Sequence, residues 1–171
     1  MVLGKFMPPH LGHVYLVELA RQYVERLTVV VGTLPDEPID GALRHAWMRE
    51  LFPDCDVVHL DEVLPQDPSE HPEFWALWEA ALRRVLPDGP LDCVFASETY
   101  GHRLAEVLGA EFVPVDRGRT VMPVSGTAVR ERPLANWKYL PPCVRPYFVT
   151  RVCVFGPEST GKSTLARALA R

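Results

Sequence analysis

Apolar, β-branched runs alternate with segments of helical period five times along the chain up to Val115. That alternation restricts the fold more than any other feature. It predicts strands over residues 2–6, 27–33, 56–60, 92–97 and 111–115. Helices are predicted over 12–26, 41–52, 72–86, with Pro72 in its first turn, and 99–108, closed by Gly109. The run Leu27-Thr-Val-Val-Val-Gly-Thr33 has no polar alternation, as expected for a strand covered on both faces. Strand–helix alternation of this kind gives an α/β fold: a parallel, Rossmann-like sheet with helices on both faces and right-handed crossovers. Ligands of such sheets bind beyond the carboxyl ends of the strands. Function is therefore expected in the loops after Phe6, Thr33, Leu60, Ser97 and Val115.

Composition narrows the class further. Apolar residues make up 47% and charged residues 23% of the 171, ordinary globular usage that excludes general disorder. No apolar run approaches the roughly 18 residues that span a bilayer. No secretory signal is legible at residues 1–10, and a cytoplasmic location is expected. Cys55, Cys93, Cys143 and Cys153 lack metal-site or disulfide-framework spacing and are expected as small, buried free thiols of a reducing compartment. The net charge of −4 conceals a division. Residues 1–116 carry 8 basic and 20 acidic side chains, whereas 117–171 carry 10 basic and 2 acidic. A basic segment of this size suits nucleic acid, a membrane surface or phosphorylated small molecules.

Three motifs favour the last. Gly4-Lys5-Phe6-Met-Pro-Pro-His10-Leu-Gly12-His13 follows a strand and opens a helix. Two histidines three apart share one side of the first turn. Gly12 is expected to let a ligand approach the backbone, and open amides with the helix dipole favour an anion. The stretch reads as a polyphosphate cradle, with Lys5 as an added contact. The second motif lies in Arg117-Gly-Arg119-Thr-Val-Met-Pro-Val-Ser125-Gly126-Thr127-Ala-Val-Arg130-Glu-Arg132. Ser125 is expected to cap a helix over 126–132, so that Ser125, Thr127 and Arg130 surround its N-terminus. Arg130 supplies a forked, permanently charged donor suited to phosphate.

The third, Gly156-Pro-Glu-Ser-Thr-Gly161-Lys162-Ser163-Thr164, fits G-x-x-x-x-G-K-[ST] and lies between the apolar run 152–155, read as a strand, and an alanine-rich helix. Gly156, Gly161, Lys162, Ser163 and Thr164 are its expected phosphate-binding residues, and Ser163 the Mg²⁺ ligand of a complete domain. About nine residues of helix follow, too few for a kinase core. Two domains are therefore expected: 1–148 as the nucleotide-handling domain, and 149–171 as the truncated start of a second, P-loop domain, which the family resemblance identifies as a kinase.

His10-Leu-Gly12-His13 together with Ser125-Gly-Thr127-Ala-Val-Arg130 resembles the signature pair of the nucleotidyltransferase superfamily. Residues 4–13, Ser97-Glu98-Thr99-Tyr100-Gly101 and Val144-Arg-Pro-Tyr-Phe-Val149 before the P-loop resemble more closely the NadR family of fused nicotinamide-nucleotide adenylyltransferases and ribosylnicotinamide kinases. The resemblance implies Mg²⁺-dependent transfer of the adenylyl group of ATP to nicotinamide mononucleotide, giving NAD and pyrophosphate. It implies His10, His13 and Arg130 as catalytic residues. ATP contacts would come from Gly4, Lys5, Phe6, His10, Gly12, His13, Ser125, Thr127 and Arg130. Ser97, Glu98 and Tyr100 would bind nucleotide or substrate, although Ser97 or Thr99 reads equally well as a helix cap.

For the nicotinamide ring an aromatic face is favourable. Trp75 and Trp78 are candidates alongside the core alternative, while Trp47 is read as core. Arg44, near a helix start, is a candidate for the substrate phosphate, with a surface charge as the alternative. Asp36 and Glu37 lie in a ligand-side loop, with simple solvation as the alternative. The expected partners are ATP and a mononucleotide, with no membrane and no nucleic acid, and homo-oligomerisation left open. Other phosphorylated acceptors, such as nicotinate mononucleotide or pantetheine phosphate, and a non-catalytic nucleotide sensor, are the competing readings.

Overall fold

Val2–Gly4 (β1), Thr28–Gly32 (β2), Asp56–Leu60 (β3), Cys93–Ala96 (β4) and Glu111–Pro114 (β5) form one sheet in the order β3-β2-β1-β4-β5. All four pairings are parallel. The computed structural model describes residues 1–150 and 152–169. Arg151, Ala170 and Arg171, which the sequence assigns to the P-loop segment, lie outside the described residues. Helices Leu11–Tyr23 (α1), Gly41–Leu51 (α2), Phe74–Val85 (α3) and Tyr100–Leu108 (α4) connect successive strands. Gly126–Glu131 (α5) follows β5, and Lys162–Leu169 (α6) follows the P-loop.

The strand pleat explains how both faces are covered. Val29 and Val31 turn toward α1 and α2, meeting Leu16, Val17, Ala20, Met48 and Phe52. Val30 turns the other way, with Leu60 and Val94, toward Ala81, Leu82, Leu104 and Ala105 of α3 and α4. All three valines are fully buried, and each such side chain contributes roughly 1.5–3 kcal/mol of transfer free energy. A third cluster of Ile39, Trp47, Val124, Val129, Leu140 and Val144 fastens α5 and the following turns to α2. Trp47 is core, as expected.

The sheet grows one way from β1 through β2 to β3 and the other way through β4 to β5, so the topological switch point lies at the carboxyl ends of β1 and β4. Helix ends follow local chemistry. Asp40 caps α2 by accepting from the Leu43 amide at 2.9 Å. Gly109 ends α4 in the left-handed conformation, φ 71°, where an L side chain is disfavoured. Most boundaries shift by a residue or two, and α1 ends at Tyr23 rather than at residue 26; three differences have a clear local cause. β1 stops at Gly4, because Phe6 adopts φ 46° and leaves the sheet direction. Pro72 precedes α3, which starts at Phe74 after a turn in which the His71 side chain accepts from the Glu73 amide. Residues 152–155 form no strand. They have no neighbouring strand among the described residues, and Val152 and Phe155 are 66% and 89% exposed. None of the described residues from 152 to 169 is buried.

Candidate active site

A cavity of about 630 Å³ opens at the switch point. Its floor is the end of β1 and the loop after it, with Ala96 to Glu98 from β4. The start of α1 supplies His10, Gly12 and His13, and the start of α5 supplies Ser125, Gly126, Thr127 and Arg130. Leu64, Gln66, Phe74, Trp75 and Trp78 close the far wall. The two motifs are thus brought together from more than a hundred residues apart in sequence. The means is close backbone approach: a Cβ on Gly126 would stand 2.6 Å from the Met7 carbonyl oxygen. Only glycine lets α5 sit there.

The histidines cap their own helix. His10 Nδ1 accepts the Gly12 amide at 3.1 Å, and His13 Nδ1 accepts the His10 amide at 3.3 Å. This is the reciprocal pattern of a capping box, made with imidazoles. The rings stack at 3.7 Å between centroids, and Phe6 buttresses His13 edge-on at 5.0 Å. The expectation of open amides needs correction: the Gly12 amide is bonded to the His10 ring and the His13 amide to the His10 carbonyl. Gly12 also has a different use. A Cβ there would stand 3.0 Å from the His10 ring, so its bareness makes room for the imidazole.

Because each Nδ1 accepts, each proton sits on Nε2, leaving two N–H donors in a cavity lined by both rings. Burial, with help from the Arg119 charge, pushes His10 down to about 4. His13 lies well below the ordinary histidine value through burial, the neighbouring His10 and Arg119. Both are neutral near pH 7. The unfolded chain takes up protons near pH 6.5 while folded His10 resists until about pH 4, so the unfolded state binds more protons in between. Stability should be fully present above pH 6.5 and fall as pH drops toward 4, by on the order of 3 kcal/mol for His10 alone. Urea unfolding across that range checks this; a flat profile would contradict it.

Opposite, Arg130 Nη1 donates to the Met7 carbonyl and Nη2 to Thr127 Oγ1 at 3.1 Å. Two of five guanidinium donors are used, and the fork is fixed in place with the others available. Ser125 Oγ accepts from the Ala128 amide at 3.2 Å, the expected cap.

Other candidates fall differently. Lys5 lines the cavity but is paired with Glu37 at 2.8 Å. The Glu37 side chain is neither solvated nor part of the cavity lining; it is 7% exposed. It accepts from Arg44 at 2.5 Å and from the Leu34 amide at 2.9 Å, and its carboxyl is held below the usual range by Lys5, that amide and Arg44 against the cost of burial. Arg44 does not line the cavity. It is fully buried and donates to the carbonyls of Ile39 and Lys5 at 2.9 and 2.6 Å. α2 turns this side chain inward because its acceptors lie beneath the two strand-end loops.

Trp75 and Trp78 do line the cavity, packed with Phe74, and Trp78 Nε1 donates to the Pro65 carbonyl at 2.8 Å. Ser97, Glu98 and Tyr100 line it as well. Tyr100 donates to the Leu3 carbonyl at 2.9 Å, and Thr99 caps α4 without a side-chain bond. In the P-loop, Lys162 Nζ donates to the Pro157 carbonyl, and Gly156, Ser159 and Gly161 take positive φ. Ser163 and Thr164 lie in the first turn of α6.

Several polar cavity residues escaped the sequence reading as candidates, Glu62, Gln66, Asp116 and Arg119 among them. Asp116 and Arg119 both have positive φ, 43° and 50°, as does Phe6. These backbone outliers meet at one cavity, and strain of this kind collects at functional sites. Among the described residues no group of three or more His, Cys, Asp or Glu could hold a metal ion, and no helix is long and apolar enough to cross a membrane.

No family model matches the chain. It is 32% identical over 187 aligned positions to the trifunctional NAD biosynthesis/regulator protein NadR of Escherichia coli K12, covering 99% of this chain and 45% of the relative. The Salmonella typhimurium protein of the same name is 31% identical with the same coverage. A crystal structure of NadR in complex with NAD and AMP-PNP superimposes with TM-score 0.72 and 26% identity, over 99% of this chain and 51% of that one. A NadR structure with NR gives TM-score 0.73 and 25% identity, over 99% and 50%. The chain is therefore a homologue of NadR, spanning about half the length of the relatives it matches.

Proposed function

We propose that residues 1–148 transfer the adenylyl group of ATP to nicotinamide mononucleotide, releasing NAD and pyrophosphate, as a step of NAD biosynthesis. The observation that carries this is the convergence of the His10/His13 donors and the fixed Arg130 fork on one cavity at the switch point. Homology to a NAD biosynthesis protein, and the NAD and AMP-PNP bound by a similar structure, support the choice of nucleotides.

In this reading a 5′-phosphate oxygen of the mononucleotide attacks the α-phosphorus of ATP. The bond from α-phosphorus to the bridging oxygen breaks, and pyrophosphate leaves with the electron pair. The second pKa of a phosphate monoester is about 6, so the nucleophile is ionised at neutral pH and needs no general base. Neutral His10 and His13 would donate through Nε2 to the oxygens where charge develops, and Arg130 with Thr127 would hold the departing pyrophosphate. Neither histidine needs to lose or gain a proton. Trp75 and Trp78 offer an aromatic wall for the cationic ring.

Mg²⁺ would supply charge neutralisation on the ATP phosphates. It would be carried by the nucleotide itself, since Mg²⁺ is usually held by substrate phosphates and water. The segment from residue 149 onward is proposed as the opening of a P-loop unit, with Gly156, Gly161, Lys162, Ser163 and Thr164 turned to phosphates. Kinase activity is not proposed for it.

An acceptor panel tests the proposal. With ATP and Mg²⁺, nicotinamide mononucleotide should give the fastest pyrophosphate release, ahead of nicotinate mononucleotide and pantetheine phosphate. Faster release with another acceptor would change the substrate. ATP binding with no release from any acceptor would identify a nucleotide sensor instead.

A further inference from the structure

Three side-chain cations line the cavity, and they are not equally free. Arg130 is tied to a carbonyl and a hydroxyl. Lys5 is paired with a buried carboxylate, whose charge would be left with one partner fewer if Lys5 moved away. Arg119 has a single side-chain partner among the described residues, Glu98 at 3.0 Å, through one nitrogen. Both members of that pair are about half-exposed, 49% and 60%. An exposed, one-bond pair of this kind is worth roughly 0–1 kcal/mol.

The backbone around Arg119 is far more constrained than its side chain. Asp116 accepts from the amides of Thr120, Val121 and Met122 at 2.8, 3.1 and 3.0 Å, and from the Thr120 hydroxyl at 3.2 Å. The Arg119 amide donates to the Asp116 carbonyl at 2.8 Å. A turn with two non-glycine residues at positive φ is thus pinned by one carboxylate, and it carries Arg119 to the cavity rim. The guanidinium is near enough for its charge to act on both His10 and His13.

We propose that Arg119 is a polyphosphate-binding residue held in reserve by Glu98, and that a nucleotide entering the main cavity draws its guanidinium off that carboxylate. The chemistry favours the exchange. A phosphate offers two or more oxygens to the planar fork, where Glu98 engages one nitrogen. The weak pair keeps the arginine extended at the rim while costing little to break. Glu98 is then a competitor of the ligand, so removing its charge strengthens binding. This rests on the reading that a nucleotide polyphosphate occupies the cavity, but it does not require adenylyl transfer.

The experiment is calorimetric titration of the 171-residue chain with ATP and Mg²⁺, run beside steady-state kinetics with nicotinamide mononucleotide. Arg119→Ala should weaken ATP binding at least about tenfold, and Arg119→Lys should recover only part of it. Glu98→Gln should tighten binding about threefold, and Arg119→Ala/Glu98→Gln should match Arg119→Ala alone. In the kinetics the Glu98→Gln effect should appear in the KM for ATP. Unchanged binding in Arg119→Ala overturns the proposal. So does weaker binding in Glu98→Gln, which would make Glu98 a ligand contact in its own right, and so does absence of ATP binding by the unaltered chain. If the unaltered chain binds ATP with this pattern but releases no pyrophosphate, the adenylyltransferase reading fails and the Arg119 assignment stands.

Discussion

His13→Ala lowers turnover at least about a hundredfold, the scale for losing a donor aimed at transition-state charge. Its stability changes far less. The side chain also accepts the His10 amide, and losing a cap costs about 1 kcal/mol. The two roles can be separated. His13→Glu keeps an acceptor at the third helical position, as in an ordinary capping box, but sets negative charge against the phosphates. It should regain most of the stability and none of the turnover. Measured kcat with nicotinamide mononucleotide and urea midpoints for both variants check this. Near-normal turnover in His13→Ala would remove the residue from the mechanism.

Arg44→Ala should cost about 3–5 kcal/mol of folding free energy, the range for stripping one partner from a buried ion pair. The loss has three parts. Glu37 keeps its buried charge with only Lys5 and the Leu34 amide, while the Ile39 and Lys5 carbonyls lose their donor. Arg44→Lys keeps the charge but cannot reach all of these acceptors with one ammonium, so it should fall between. Urea unfolding gives the comparison, with a lower midpoint and an unchanged slope. A loss under about 1 kcal/mol, joined to a raised KM for the mononucleotide, would restore Arg44 as a substrate contact.

Those two residues also show what the chain discloses before it folds. The His10–His13 pair was legible because helical spacing alone puts residues three apart on one side of a turn. That the rings would occupy their own helix's amides was not, because it depends on side-chain torsions. Arg44 was misplaced because proximity to a helix start says nothing about which wall the side chain faces. Glu37 looked solvated in a proline-rich loop, and only its buried cation explains its position. The alternation of elements implied a parallel sheet, but not that β4 would lie beside β1. That neighbour relation is set by which crossover covers which face, and it determines where the cavity opens. Residues 152–155 had a strand's composition, but a strand needs a partner.

The contact between Gly126 and the Met7 carbonyl has a consequence for assembly. The cavity is closed by a junction between residues more than a hundred apart in sequence, with Arg130 bonded to the same carbonyl. Closing so long a loop is entropically slow to be rewarded. Half of the site can therefore be made early, with β1 and α1, while nothing in it has the shape to retain a nucleotide. For the proposed nucleotide, binding competence would then come late in folding, and ligand affinity would report whether the chain has finished.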